Sequence, residues 1–295
     1  MYYPYFRGKQ FDLLALTTLL ASGRLSKKIV PIIDPVKNST TLKKFLIEVQ
    51  KNEHPFYIVQ NPQAGDFLTF SGAEYLTSLA APKALVIDQP IETFQDSCQL
   101  FIVERAAPVL ESDWQSNQVP VLISEEFRLL QKVTGPKILS QDLYTRLPKA
   151  EFYQECPDEL FSTAHLTFPK KGFVGFSDFS IDSRIYYEQS YPSKFLSLHL
   201  VYFEQETLRI HHFLATEEGA SQKEQFFELM ENIIHWEKQL CAGETTLGLD
   251  LLLKAFSADK FPGMGVMRKA AVMHHMELMS RYLDKKSEAS WSHKR

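Results

Sequence analysis

The stretch GFVGFSD, Gly172 to Asp178, is apolar almost throughout and then ends on an acid. A strand wetted on one face alternates apolar with polar residues. An unbroken apolar run reads instead as a strand buried on both faces, the habit of parallel sheets. Working outward, the same unit recurs along the chain. IVPIID (29–34), FYIVQN (56–61), ALVIDQ (84–89), LFIVER (100–105), VPVLISEE (119–126) and KILSQD (137–142) come before it, and FLSLHL (195–200) comes after.

Amphipathic segments separate several of these eight runs. TLKKFLIEVQKNEH sets Leu42, Phe45, Leu46 and Val49 on one helical face. GAEYLTSLAA and EEFRLLQKVTG read the same way, and Gly135 and Pro136 stop the second. Strand alternating with helix implies parallel βαβ units. Eight such units predict an α/β fold, a distorted (β/α)8 barrel-like core with C-terminal helices. The rival, an open doubly wound sheet, lacks its Gly-rich phosphate fingerprint here. Two features distort the barrel. The connections near Ile91 and Val109 are short for full helices, and LSLHLVYFEQETLRIHHFLA reads as a hairpin turning at EQET, an excursion near the eighth strand. Helices are predicted in GKQFDLLALTTLLASG near the start, then in SQKEQFFELMENIIHWEKQLC, TLGLDLLLKAFSA and VMRKAAVMHHMELMSRYLDKK. No linker rich in Gly, Pro or Ser intervenes. Residues 1–285 therefore read as a single domain and 286–295 as a frayed polar tail.

The 295 residues are 44% hydrophobic, ample for a sizeable core. A net charge of -4 supplies no overall basic field, which argues against direct nucleic-acid binding. Cys98, Cys156 and Cys241 are sparse and far apart, the usage of a reducing compartment rather than of a disulfide or zinc scaffold. MYYPYFRGKQ lacks the basic-then-apolar order of a signal peptide, and no apolar run nears the roughly 20 residues of a membrane span. A cytoplasmic protein without a membrane partner is expected.

The runs end in Asp34, Gln60 with Asn61, Asp88, Glu104, Glu125, Asp142 and Asp178. Parallel barrel strands all end on one face, so these groups are expected to form an acidic rim there, with Asp182 on the following loop. Such a rim needs protein cations, a divalent metal or protonation to offset its charge. Arg7, Lys9, Lys37, Arg105 and Arg184 are the candidate cations, and Mg2+ or Mn2+ the candidate cofactor. Taken singly, each acid reads first as a helix cap or a loop ion pair. His274 and His275 share a predicted helix and point about 100° apart, so they do not readily ligate one metal. His275, four residues after Ala271 and three before Leu278, is expected to face inward toward a rim carboxylate such as Asp178, with His274 more exposed. HExxH and G-x-S-x-G are absent.

Four segments occur in a telling order: YYPYFRGKQFDLLAL, KIVPIIDPVK, GFVGFSDFSID and RKAAVMHHMELMSRYL. Their arrangement resembles the phage-type Beta protein family and its shorter bacterial relatives. Those proteins share a Tyr-Pro opening, a Pro-Ile-Ile/Leu strand, an Asp-bearing late strand and a paired-His C-terminal helix. The resemblance implies an accessory protein carried by phages and mobile elements, with Arg7, Lys9, Asp34, Asp178, Asp182, His274 and His275 at motif positions. The chain is shorter than the longer members between its fourth and sixth strands, the segment that holds Glu104 and Glu125. Two functions are expected to compete. One is a binding or immunity protein of phage conflict, a barrel-shaped partner of another protein with a ligand site at its rim. The other is a metal-assisted hydrolase or transferase acting on a phosphorylated or nucleotide-like ligand. In that second reading Lys9, Asp34, Asp178 and His275 are the catalytic candidates, and Arg7, Asp88, Asp182 and His274 the ligand-binding ones.

Overall fold

The computed structural model describes residues 1–90, 98–112, 116–185, 194–236, 240 and 243–292, with side chains described as far as Lys286. They form two compact units. The first comprises Met1–Gln10, Lys27–Asp142 and Ala164–Phe179, and the second Phe11–Ser26, Leu143–Thr163 and Ser180–Arg295.

The first unit is the predicted barrel-like core. Its strands are β1 (Tyr5–Phe6), β2 (Ile32–Ile33), β3 (Tyr57–Val59), β4 (Lys83–Val86), β5 (Leu100–Ile102), β6 (Val121–Ile123) and β7 (Lys137–Ser140). After β8 (Asp158–Ser162), which belongs to the second unit, β9 (Gly175–Ser177) completes the sheet. All eight neighbours run parallel, in the order β1-β2-β3-β4-β5-β6-β7-β9. The two edges meet. Tyr3 N donates to Phe176 O (2.8 Å), Phe176 N to Met1 O (3.2 Å) and Tyr5 N to Asp178 O (2.8 Å), so the sheet nearly closes on itself. Tyr5, Ile32, Val59, Ala84, Val86, Leu100, Ile102, Leu122, Ile138 and Phe179 pack as one interior cluster. Gly175 is part of the closure: a Cβ there would stand 2.5 Å from the Tyr3 ring.

Helices alternate with these strands: α1 (Gln10–Ala21), which packs in the second unit, then α2 (Thr40–Lys51), α3 (Phe70–Ser78), α4 (Ala107–Leu110), α5 (Phe127–Lys132) and α6 (Ala164–Thr167). In α2 the predicted face of Leu42, Phe45, Leu46 and Val49 is buried, and the Ser39 side chain accepts from Leu42 N to cap its start. The connection around Val109 is short as expected, the four-residue α4; Ile91 lies outside the described residues.

One strand assignment needs correcting. The eighth barrel strand is β1, not FLSLHL. A stretch as short as Tyr5–Phe6 carries no periodicity, and it becomes a strand because both neighbours offer it a ladder. FLSLHL instead opens β10 (Ser197–Glu204), which pairs antiparallel with β11 (Thr207–Leu214). The predicted hairpin is present, turning at Gln205 and Glu206 with Gln205 at φ 57°. It belongs to the second unit, in a three-stranded sheet of order β10-β11-β8.

That sheet packs with α7 (Gln222–Ile234) and α9 (Met264–Ser292), and α8 (Leu247–Ser257) packs on those two helices. Helix α9 is buried on every side from Ala270 to Ser280. A helix apolar only along a stripe lies at a surface, whereas one buried all round is the axis of its unit. The helix continues to Ser292, into the stretch expected to fray. Among the described residues no helix is long and apolar enough to cross a membrane.

Candidate functional site

Two polar clusters stand out, one in each unit. The first sits where the barrel strands end. Ile32 and Ile102 face the interior, and side chains two residues further along a strand fall on the same side. Asp34 and Glu104 follow in that register, and both bind the guanidinium of Arg7. Arg7 Nη1 donates to Asp34 Oδ2, and its Nη2 lies 3.4 Å from Glu104 Oε1. The Tyr5 hydroxyl donates to Asp34 Oδ2 (2.9 Å), and Arg7 lies over the Tyr5 ring, 5.2 Å from its centroid. Gly8 adopts φ +60° where a Cβ would stand 3.1 Å from the Asp34 carbonyl oxygen, so the backbone bends closely over β2 just after Arg7.

Asp34 is 1% exposed. Burial raises its pKa, while Arg7 and Tyr5 act against the rise. Its Oδ1 has no described hydrogen-bond partner, and neither has the buried Ser177 Oγ. Ser177 lies two residues after Gly175 and two before Phe179, both on the interior side. The mouth of the barrel therefore holds buried acceptors beside a guanidinium already engaged by two carboxylates.

The other expected site residues are distributed as follows. Lys9 is half-buried in the turn into α1. Asp88 is half-buried and accepts from Gln63 Nε2 (3.3 Å). Asp178 is buried and accepts from the Tyr2 hydroxyl (2.7 Å), with Tyr2 stacked on Phe176. Asp182 belongs to the second unit, where Arg268 bridges it (2.9 Å) to Asp12 (2.7 and 3.0 Å). Arg146 lies 3.8 Å from Asp182 on its other side.

The paired histidines differ from expectation. Both are 0% exposed, and neither is the more exposed of the two. His274 joins Thr246 Oγ1 (2.8 Å) to the carbonyl of Val201 (2.8 Å), and His275 Nδ1 meets Ser180 Oγ (2.9 Å). Hydroxyls and a carbonyl, not a carboxylate, take these bonds. The reason is the axial position of α9, which leaves two residues 100° apart equally enclosed. Burial lowers both pKa values, to about 4 for His274 and about 3 for His275. Both are neutral near pH 7.

The second cluster escaped the sequence reading. His199 on β10 lies directly opposite His212 on β11, and their Nδ1 atoms are 2.7 Å apart. Ser197 Oγ lies 3.2 Å from His199 Nε2, and Glu159 Oε1 lies 3.2 Å from His212 Nε2. Thr145 Oγ1 donates to the other Glu159 oxygen (3.0 Å). Tyr153 covers both imidazoles, at ring distances of 4.7 and 4.4 Å, and Tyr144 stands edge-on to them. Burial first, then His212 and Arg268, hold His199 well below the usual imidazole pKa. Burial also lowers His212, with Glu159 opposing. The signal was present in the hairpin. With Glu204 opposite Thr207, five steps along each strand set His199 against His212.

His212 and Tyr153 of this cluster also line a cleft of about 420 Å3, together with His211, Phe213, His235 and Trp236 among others. His211 is bound to Asp158, which also holds Arg209 and the Tyr202 hydroxyl. Among the described residues no three His, Cys, Asp or Glu side chains are grouped to hold a metal ion.

Fold and rim together define a barrel-like α/β protein with a charged cluster at the strand ends. No protein-family model matches the chain, and no curated protein or solved structure matches it either.

Proposed function

We propose that the protein is a cytoplasmic accessory factor of phage and mobile-element conflict that engages another protein through the strand-end rim of its barrel. The observation behind this reading is where its apolar side chains meet water. The three most exposed large apolar residues among those described are Phe70 (81%), Phe127 (70%) and Leu68 (65%). Leu68 and Phe70 follow β3, and Phe127 opens the helix after β6. All three thus belong to connections leaving the same ends of parallel strands, Phe70 and Phe127 as the first residues of α3 and α5. Burying one such side chain is worth about 1.5–3 kcal/mol, and aromatic side chains are enriched in the cores of protein interfaces. Asp66 follows β3 and Glu126 follows β6 in those same connections, and Asp88 follows the neighbouring β4, so the partner should bring apolar surface edged with basic groups. The resemblance to Beta proteins supports the biological setting. The four segments behind that resemblance are also bonded to one another within each unit: Tyr2 to Asp178 and Arg7 to Asp34 in the first, Asp12 and Asp182 to Arg268 and Ser180 to His275 in the second.

The test is a phage challenge of cells expressing the protein or its Phe70→Ser/Phe127→Ser variant. Both residues are solvated, so the variant should fold with an unchanged melting temperature. Its effect on plaquing should fall at least about tenfold, the equivalent of 1.4 kcal/mol of binding. An unchanged effect removes the rim as the interface.

The second reading, a small ligand at the barrel mouth, rests on the unpartnered Asp34 Oδ1. A ligand presenting an amide, hydroxyl or ammonium donor would satisfy that oxygen. An enzyme using Arg7 on a phosphorylated or nucleotide-like ligand would first have to release it from Asp34 and Glu104. Thermal shift with amino sugars, polyamines and nucleotides separates these cases. Stabilisation by the cationic or hydroxylated compounds, lost in Asp34→Asn, supports a donor-bearing ligand.

A further inference from the structure

The hydrogen-bond chain in the second unit has only one consistent direction. Glu159, partly open to water and accepting from Thr145, is a carboxylate and can only accept. His212 must therefore offer Nε2–H to it, which leaves its Nδ1 as an acceptor. His199, 2.7 Å away, must then donate from Nδ1, which leaves its Nε2 lone pair facing Ser197 Oγ. The serine hydroxyl is the donor at the end of the chain. A hydroxyl donating to a neutral imidazole whose other nitrogen is held by a carboxylate-linked partner is the arrangement that makes serine nucleophilic. The two tyrosines fix the ring planes, so the alignment does not rely on the strands alone.

From this geometry we propose that Ser197 is a nucleophile, with His199 as its general base and His212 and Glu159 as positioning residues, and that the site accepts an acyl group from an ester or thioester. Ser197 Oγ bonds to the carbonyl carbon while its proton passes to His199 Nε2. The bond to the alcohol or thiol breaks, and the leaving group departs with that proton. Water then attacks the acyl-serine, gives its own proton to His199, and the serine recovers one as the acid is released. Ser197 and His199 are each only partly buried, so an electrophile can reach them. Neutral imidazoles at pH 7 keep the base form ready. This chemistry is independent of the rim interface, since its residues all belong to the other unit.

The probe is a fluorophosphonate, on which serine forms the Oγ–P bond, fluoride leaves and the proton is taken by His199. The full chain, incubated at pH 7.5 and digested, should show the adduct on the peptide carrying Ser197. Ser197→Ala should abolish that adduct. Glu159→Ala, at a partly solvated position, should keep the melting temperature and slow labelling at least about tenfold, at the low end for loss of assisted proton transfer. His199→Gln should slow it further. Folded protein left unlabelled at Ser197, or Glu159→Ala labelled as fast as the parent chain, overturns the proposal. The first result would make the chain a structural polar network, and the second would leave a reactive serine without the relay proposed for it.

Discussion

Asp34 shows how much a single side chain carries here. It is the shared acceptor of Arg7 and Tyr5 at the end of β2, almost without water contact. Removing one member of a buried ion pair leaves the other charged and unpaired, at a cost of about 3–5 kcal/mol. Asp34→Ala should lose stability of that order in urea denaturation. A loss under about 1 kcal/mol would show that Arg7 finds other support, Glu104 being the candidate. The axial histidines make a pH prediction. Their folded pKa values, about 4 and about 3, lie below the ordinary 6.5. Above pH 6.5 both states hold them neutral and nothing is lost. As pH falls below 6.5 the unfolded chain takes up protons that the folded chain refuses. Stability then drops by about 1.4 kcal/mol per pH unit for each histidine, until the folded pKa is reached. His275→Gln should halve the part of this slope due to the pair between pH 6 and 4.5, as measured by denaturant titration across pH. An unchanged slope would mean that His275 is not the group being titrated. At this scale the sequence was partly readable. Asp34 and Arg7 were recognisable as a strand-end acid and a nearby cation. The partners of His275 were not, because Ser180 is 95 residues away and a hydroxyl gives no pattern.

Elements were legible in proportion to their length and burial. Seven barrel strands announced themselves because two buried faces leave an uninterrupted apolar run. β1 did not, being two residues beside a proline, and β8 (DELFS) did not, since its ends are polar and its pairing to β11 is irregular. The long C-terminal helix was found but misread as amphipathic. Its buried Ser280 and Glu277 look like solvent-facing positions until their partners are known: Ser26 for the first, Arg24, Arg281 and Leu247 N for the second. The α8–α9 contact gives the element-scale prediction. A Cβ on Gly248 would stand 2.1 Å from Ala270 O and 2.7 Å from His274 N, both backbone atoms that cannot swing aside. Overpacking of this kind costs about 1–3 kcal/mol. Gly248→Ala should therefore lower the denaturation midpoint although alanine is the better helix former, by up to about 1 kcal/mol. A rise in stability would show that the two helices can part without loss.

At the scale of the whole molecule, neither unit is a continuous piece of chain. α1 leaves the first unit between β1 and β2, residues 143–163 leave it between β7 and β9, and the remainder of the second unit begins at Ser180. Five covalent crossings join the two. This interleaving explains why no linker marked a boundary in the sequence: the crossings fall at strand and helix ends, where short loops already belong. It also constrains folding. The closing strand β9 reaches the barrel only after a segment of the other unit has been laid down, so native barrel closure requires contacts of long sequence separation, which are slow to form. The units should accordingly unfold together. In urea, Asp34→Ala in the first unit and Gly248→Ala in the second should each shift one common transition, with far-UV circular dichroism and tryptophan fluorescence superimposing for both variants. If either variant instead splits the curve, so that dichroism and fluorescence report different midpoints, the units are separately stable despite the interleaving. The two costs would then have to be assigned to different folding equilibria, and the strand-end rim and the Ser197 chain could be engineered without regard to one another.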